Sequence, residues 1–131
     1  MSKELAGKVA IVTGAGRLRG IGRASAVRLA EMGADVVVTG TGRDPEAFPD
    51  DEKAIGWRDI DSVADQVREH GQKALPLVVD VSSSEAVDKM VADTLNEFGR
   101  IDILINNAEF RRGEDRVAVV DLDEDLFRRV L

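Results

Sequence analysis

Residues 8–22 read KVAIVTGAGRLRGIG, and this stretch decides the fold. Residues 8–13 are a continuous apolar run, which is typical of a strand covered on both faces. Residues 20–32 have the apolar spacing of a helix. Glycines between a strand and a helix let the backbone approach a phosphate, and the helix N-terminus adds free N–H groups and a positive dipole end. We expect a phosphate-binding turn here; the alternative is a turn made tight only by packing.

The rest of the chain alternates short apolar runs with amphipathic stretches. Three further strands are predicted over residues 35–39, 74–79 and 101–106, and three further helices over residues 59–70, 83–98 and 121–131. Pro76 favours an edge position for the third strand, and the fourth reads as buried. Residues 41–58 read as irregular, and Trp57 is expected to anchor them to the surface. Ser82 and Glu85 form a candidate capping box.

Strands alternating with helices predict right-handed βαβ crossovers. We therefore expect an α/β fold, a Rossmann-like doubly wound parallel sheet with strand order 3-2-1-4. The fourth strand would then lie as a long apolar edge, which native sheets usually cover. Residues 1–131 are accordingly interpreted as one partial dinucleotide-binding domain, incomplete on its C-terminal side, with the missing C-terminal half as its partner.

Composition excludes several classes of protein. The chain has 131 residues, no cysteine, one histidine and a net charge of −7. These counts argue against disulfides, a thiolate or histidine-cluster metal site, and a nucleic-acid partner. No apolar run approaches the roughly 20 residues of a membrane span, and no secretory signal is evident, so a cytoplasmic location is expected. Residues 1–45 are locally basic, with seven Lys and Arg against four Asp and Glu, which favours a small anionic ligand or is a chance fluctuation.

Three motifs stand at the ends of predicted strands: TGAGRLRGIG after VAIV, DV at residues 80–81 and NNA at residues 106–108. Together they resemble the short-chain dehydrogenase/reductase family, whose nicotinamide dinucleotide lies across the strand C-termini. The resemblance implies that the turn that binds the pyrophosphate is formed by Gly14, Gly20, Ile21 and Gly22. It makes Asp80 the acceptor of the adenine amino group, with Val81 packed on the ring, and it places Asn106, Asn107 and Ala108 beside the nicotinamide-side ribose.

Each motif also has a simpler interpretation, because Asp80 could only precede a helix cap and the asparagines could only satisfy strand-end backbone groups. Two departures from the family pattern are visible. The turn between Gly14 and Gly20 is two residues longer than the family's TGxxxGIG, which affects Arg17 and Leu18. Glu109 stands where the family's NNAG segment has glycine.

The residues at the end of the second strand indicate which nicotinamide cofactor is preferred. That end reads Thr39-Gly40-Thr41-Gly42-Arg43, without the carboxylate that an NAD site uses for the ribose hydroxyls. Arg19 and Arg43 could bind a 2′-phosphate, so NADP(H) is preferred and NAD(H) is possible; a solvated loop position is the alternative for Arg43. The candidate cofactor-binding residues are Gly14, Arg17, Arg19, Gly20, Ile21, Gly22, Thr39, Arg43, Asp80, Val81, Asn107 and Ala108.

No catalytic residue is assigned in this chain. The family's chemistry uses a Tyr proton donor with Lys, Ser and Asn, and this chain has no tyrosine. The resemblance implies hydride transfer on a small carbonyl or alcohol substrate by a longer protein, in which this part binds the cofactor. It also implies a homo-oligomer, a dimer or tetramer. The alternative function is a non-catalytic dinucleotide-binding or interaction module.

Overall fold

The computed structural model describes residues 3–109 and 118–130, and within them four parallel strands form one sheet. The strands are β1 (Val9–Val12), β2 (Asp35–Gly40), β3 (Ala74–Val78) and β4 (Ile103–Ile105). Their order is β3-β2-β1-β4, which confirms the predicted topology. All three pairings are parallel, with Val9 opposite Asp35, Val36 opposite Ala74, and Ala10 opposite Ile103.

Helices cover both faces of the sheet. They are α1 (Ile21–Glu31), α2 (Asp50–Ala54), α3 (Ile60–Glu69), α4 (Ser84–Phe98) and α5 (Glu124–Val130). One face packs against α1 and α3 through a buried cluster that includes Val36, Val38 and Val63. The other face packs against α4 through Ile11, Val37 and Met90. The sheet is therefore doubly wound, as the alternating pattern predicted.

The expectation of an irregular segment at residues 41–58 was wrong in part. A 3₁₀ turn, Pro45–Ala47, and the short helix α2 lie within it. Three acidic residues, Asp50, Asp51 and Glu52, form the first turn of α2. Carboxylates at a helix N-terminus interact favourably with the helix dipole, so the acidic run begins a helix. Trp57 is buried, and its ring is part of the core beside α3.

Three further details differ from the sequence prediction. β4 is only partly covered: Ile105 packs against the core cluster beside α1 and α3, but Leu104 is 52% exposed. The hydroxyl that caps α4 belongs to Ser83, which accepts from the Ala86 N–H, and not to Ser82. The predicted helix at 121–131 begins at Glu124, after a 3₁₀ turn at Val119–Asp121.

None of the helices described within residues 3–109 and 118–130 is long and apolar enough to cross a membrane. Residues 110–117, between β4 and α5, lie outside the described residues.

Candidate functional site

The glycine-rich turn lies at the C-terminal end of β1, in the middle of the sheet. Its first residues are fixed from both neighbouring strands. On the β2 side, the Ala15 N–H donates to the Thr39 carbonyl at 2.8 Å. On the β4 side, the side-chain amide of Asn107 donates to the Gly14 carbonyl at 3.0 Å. The predicted residues Gly14, Thr39 and Asn107 are therefore brought together at one edge of the sheet.

A second tie joins the turn to the segment after β4. The hydroxyl of Thr13 accepts from the N–H groups of Asn107 and Ala108, each at 3.1 Å. Gly14 has a φ of +64°, and a Cβ built there would lie 2.7 Å from Cα of Ala108. Only glycine fits this approach, because an L side chain at Gly14 would meet backbone. The family resemblance grouped these residues, and the structure shows direct contact between them.

The start of α1 is open to a ligand. Gly20 is the N-cap, no side chain among the described residues caps it, and the first turn of α1 holds no acid. The first N–H groups of a helix have no intrahelical partner, and the dipole makes this end attractive to anions. A Cβ on Gly20 would touch nothing closer than 3.4 Å, where it meets Arg17. Ile21 is largely exposed beside it.

The close packing of α1 on the strands explains Gly22. A Cβ at Gly22 would lie 2.7 Å from the Asn107 side-chain nitrogen and 2.8 Å from the Gly14 carbonyl oxygen. This glycine therefore lets the helix approach the turn, which in turn aims the helix N-terminus at the sheet edge.

The arginines of the site differ in their partners. Arg17 is exposed and forms no ion pair with any residue in the described part of the chain. Arg19 is also exposed, at 84% of its side chain, and pairs with Asp51 at 2.7 Å. Arg43 is mostly buried, and its guanidinium contacts Asp59 at 2.6 Å and Glu52 at 3.1 Å. Burial alone would lower the pKa of Arg43, but the hydrogen bonds that it donates to Asp59 and Glu52 raise it above its ordinary value.

Asp80 follows β3 at the same edge of the sheet. Its side chain is exposed, and Oδ1 accepts from both the hydroxyl and the N–H of Ser82, at 2.6 and 2.9 Å. These two hydrogen bonds lower the pKa of Asp80. The carboxylate is therefore ionised and turned to solvent, with the half-exposed Val81 next to it. An ionised carboxylate with an adjacent apolar surface can accept from an amino group and cover the face of an aromatic base.

Two predicted residues have surroundings that sequence reasoning did not foresee. The Thr39 side chain is fully buried, so its contribution to the turn comes through its backbone carbonyl. Asn106 is exposed at the end of β4, while Asn107 and Ala108 are the pair that contact the turn.

Sequence reasoning missed Glu52 and Asp59. Both are buried polar residues next to the turn, and Glu52 accepts from the Leu18 N–H at 3.0 Å. The available signal was an acidic run close to a lone tryptophan, but only the tertiary structure shows which acids lie inside.

The family model of the short chain dehydrogenases matches residues 8–131. The chain belongs to the short chain dehydrogenase family. Among its relatives, the cyclohexanol dehydrogenase of Rhodococcus sp. (strain TK6) is 41% identical over 122 residues, which cover 91% of this chain and 44% of the relative. The family resemblance found in the sequence is confirmed.

Solved structures of short chain dehydrogenases superpose well on the chain. An NAD⁺-bound xylitol dehydrogenase has a TM-score of 0.73 at 36% identity, covering 97% of this chain and 42% of its own. Carveol dehydrogenase from Mycobacterium avium, in complex with NAD, also has a TM-score of 0.73, at 30% identity, with 97% and 44% covered. The chain thus spans less than half the length of these relatives. Family membership together with NAD-bound neighbours supports a nicotinamide dinucleotide as cofactor.

Proposed function

We propose that this chain is the dinucleotide-binding part of an oxidoreductase that reduces a small carbonyl compound or oxidises the corresponding alcohol. The proposal rests on the open space around Gly20. The protein's own packing requires Gly14 and Gly22, whereas a side chain at Gly20 would meet only open space and Arg17. A glycine that the fold does not need, at an uncapped helix N-terminus, leaves room for a diphosphate.

The residues present fit such a cofactor. The backbone of Gly20, Ile21 and Gly22 would hold the diphosphate, and Asp80 with Val81 would hold the adenine. Asn107 and Ala108 would lie toward the nicotinamide-side ribose. When bound, the cofactor supplies the hydride chemistry. The contribution of these residues is to bind and orient it against a substrate.

The sequence predicted NADP(H) from Arg19 and Arg43. Arg19, with Arg17 two residues before it, supports this preference because both guanidinium groups reach solvent beside the turn. One observation favours NAD(H) as the second candidate: Arg43 already lies between two buried carboxylates, so its charge is neutralised. A 2′-phosphate at Arg43 would have to compete with Asp59 and Glu52.

We further propose that residues 1–131 are part of a larger domain. The half-exposed β4 supports this, because it is an apolar edge strand of the described sheet and native proteins usually cover such an edge. A homo-oligomer and a cytoplasmic location stay predictions of the sequence.

Titration of the full-length protein with NADH and NADPH tests the proposal. We expect binding of at least one of them with a dissociation constant in the micromolar range. Arg19→Ala should weaken NADPH binding about tenfold and leave NADH binding unchanged, because only NADPH has the 2′-phosphate. Equal losses for both nucleotides would rule out the NADP(H) preference, and absence of binding by the unaltered protein would refute the cofactor assignment.

A further inference from the structure

The segment between β2 and α3, residues 41–59, returns to the glycine-rich turn. Three of its side chains reach the middle of that turn: Arg43, Glu52 and Trp57. We call these three residues the clamp. The ends of the turn have other partners, since residues 14–15 bond to β2 and Asn107 while Gly20 begins α1.

The clamp bonds to the backbone of residues 16–18. Nε1 of Trp57 donates to the Gly16 carbonyl at 2.7 Å, and Nη2 of Arg43 approaches the same oxygen at 3.4 Å. Oε1 of Glu52 accepts from the Leu18 N–H at 3.0 Å. The Leu18 carbonyl in turn accepts from Nε of Arg23 in α1, at 2.5 Å. Side chains from outside the turn therefore hold its middle.

The charged groups of the clamp, Arg43 and Glu52, are buried together with Asp59 and depend on one another. The Glu52 side chain is 3% exposed, Arg43 is 16% exposed and Asp59 is 10% exposed. A carboxylate this deep is stable in its ionised form only beside a cation, which Arg43 provides. The Arg43 guanidinium also lies 4.5 Å from the centre of the Phe48 ring, a cation–π contact that fixes its position. Arg43 therefore acts on the turn largely through Glu52.

Asp59 fills the space beneath the turn. A Cβ on Gly16 would lie 2.2 Å from Oδ1 of Asp59, so Gly16 is glycine because this carboxylate occupies the position of a side chain. Asp59 has a φ of +59°, the one left-handed value among the non-glycine residues described. Both Nε and Nη2 of Arg43 donate to the same Oδ1, at 2.9 and 2.6 Å. These bonds hold Asp59 in its strained conformation.

We propose that Arg43, Glu52 and Trp57 are positioning residues that hold the middle of the glycine-rich turn in the shape that binds the cofactor diphosphate. A turn two residues longer than the family's usual one has more conformations to lose, and ordering it in advance removes that cost from cofactor binding. The clamp orders residues 16–18 of the turn through side chains of the segment at residues 41–59. This inference rests on the proposed cofactor-binding function.

The test compares three substitutions in the full-length protein. Trp57→Phe keeps an aromatic ring in the core and removes the N–H donor to Gly16. It also removes part of the buried indole volume, so the free energy of unfolding of this variant is measured beside its binding. Arg43→Lys keeps the charge but cannot contact Gly16, Glu52 and Asp59 together. Arg58→Lys is the matched control, because Arg58 belongs to the same segment but is exposed and pairs with Asp65. The probes are NADH, NADPH and adenosine, the last of which lacks the diphosphate.

We expect Trp57→Phe and Arg43→Lys to weaken binding of the preferred dinucleotide about tenfold, and to change adenosine binding by less than about twofold. Arg58→Lys should bind all probes like the unaltered protein. Amide exchange at Leu18 should speed up in Arg43→Lys while exchange in β1 and β2 does not. A residue with a merely structural role would not produce this difference between the probes.

Unchanged dinucleotide binding by Trp57→Phe would overturn the clamp while leaving the cofactor function intact, and Trp57→Phe decides the matter even if Arg43→Lys does not fold. Equal weakening of adenosine and dinucleotide would also overturn it, because the contacts would then support the fold as a whole. If the unaltered protein binds neither NADH nor NADPH, the cofactor function fails first and the clamp with it.

Discussion

Three of the four glycines at positions 14, 16, 20 and 22 are required by the protein itself. A side chain at Gly14 would meet Ala108, at Gly16 it would meet Asp59, and at Gly22 it would meet Asn107 and Gly14. Gly20 is different, since its φ of −88° suits any residue and its surroundings are open. A glycine pattern in a sequence cannot separate these roles, because the neighbours that crowd each position come from distant parts of the chain.

Gly20→Ala should therefore separate binding from stability. We expect the free energy of unfolding to fall by about 0.5–1 kcal/mol, since alanine is a poorer N-cap than glycine but no side-chain capping hydrogen bond is lost. Binding of the preferred dinucleotide should weaken about tenfold or more, because the methyl group takes the space of the diphosphate. Gly22→Ala is the comparison, with an expected loss of about 1–3 kcal/mol of stability from overpacking. Urea unfolding and nucleotide titration measure both quantities, and normal binding by Gly20→Ala would contradict the assignment.

At the level of single elements, the start of α4 offered two adjacent serines as the N-cap. Ser82 and Ser83 are adjacent, and the spacing to Glu85 favoured Ser82 as the cap. In the structure the Ser82 hydroxyl donates to Asp80, so the helix begins one residue later and Ser83 accepts from Ala86. The Ser82 hydroxyl donates to the Asp80 carboxylate, just after β3, and is therefore not available to cap the helix. Ser83 is the N-cap instead.

Ser83→Ala should lower the free energy of unfolding by about 1 kcal/mol, the usual cost of losing an N-cap hydroxyl. Ser82→Ala is the matched control and should cost less stability. It should instead raise the pKa of Asp80 toward its ordinary value of 3.8, because the Ser82 hydroxyl contributes most to the lowering. Chemical denaturation and an NMR titration of Asp80 separate the two effects. A larger loss of stability from Ser82→Ala would mean that the sequence-based capping box was correct.

Strands and the main helices could be predicted because their signals are local. Apolar runs such as those of β1 and β2 indicate buried parallel strands, and the alternation of strands and helices predicts a doubly wound parallel sheet. The 41–59 segment could not be predicted in the same way. Whether Glu52 is a solvated or a buried acid depends on Arg43, nine residues before it, and on Leu18, 34 residues before it. The exposure of β4 likewise depends on what covers it, and not on its own residues.

On the scale of the whole molecule, ion pairs engage three of the seven Lys and Arg of residues 1–45. Arg19 pairs with Asp51, Arg28 with Glu31, and Arg43 with Asp59 and Glu52. Several of these acids come from outside the basic third, so the sequence count overstated the positive charge at the site. A diphosphate at the turn would therefore be held chiefly by backbone N–H groups and the dipole of α1, with the exposed Arg17 and Arg19 as additional cations.

Strands distant in the chain are joined by a carboxylate, which makes stability depend on pH. Oδ2 of Asp102, next to β4, accepts from the Val9 N–H of β1 at 2.8 Å, and the same carboxylate pairs with Arg100 at 2.7 Å. The hydrogen bond from Arg100 and then that from Val9 lower the pKa of Asp102 below its ordinary value of 3.8. A group with a lowered folded-state pKa stabilises the fold above its unfolded pKa, and this stabilisation is lost as the pH falls through the folded-state pKa.

Asp102→Asn should therefore be less stable than the unaltered protein at neutral pH, and the difference should shrink once the pH falls below 3.8. Arg100→Gln removes the larger cause of the lowered pKa and should reproduce most of this pH dependence. Urea unfolding at a series of pH values from about 6 down to about 2 measures the differences. Equal stability of Asp102→Asn and the unaltered protein at every pH would contradict this, because it would show that the bond to Val9 stabilises the β1–β4 pairing without the carboxylate charge, since asparagine can still accept that hydrogen bond.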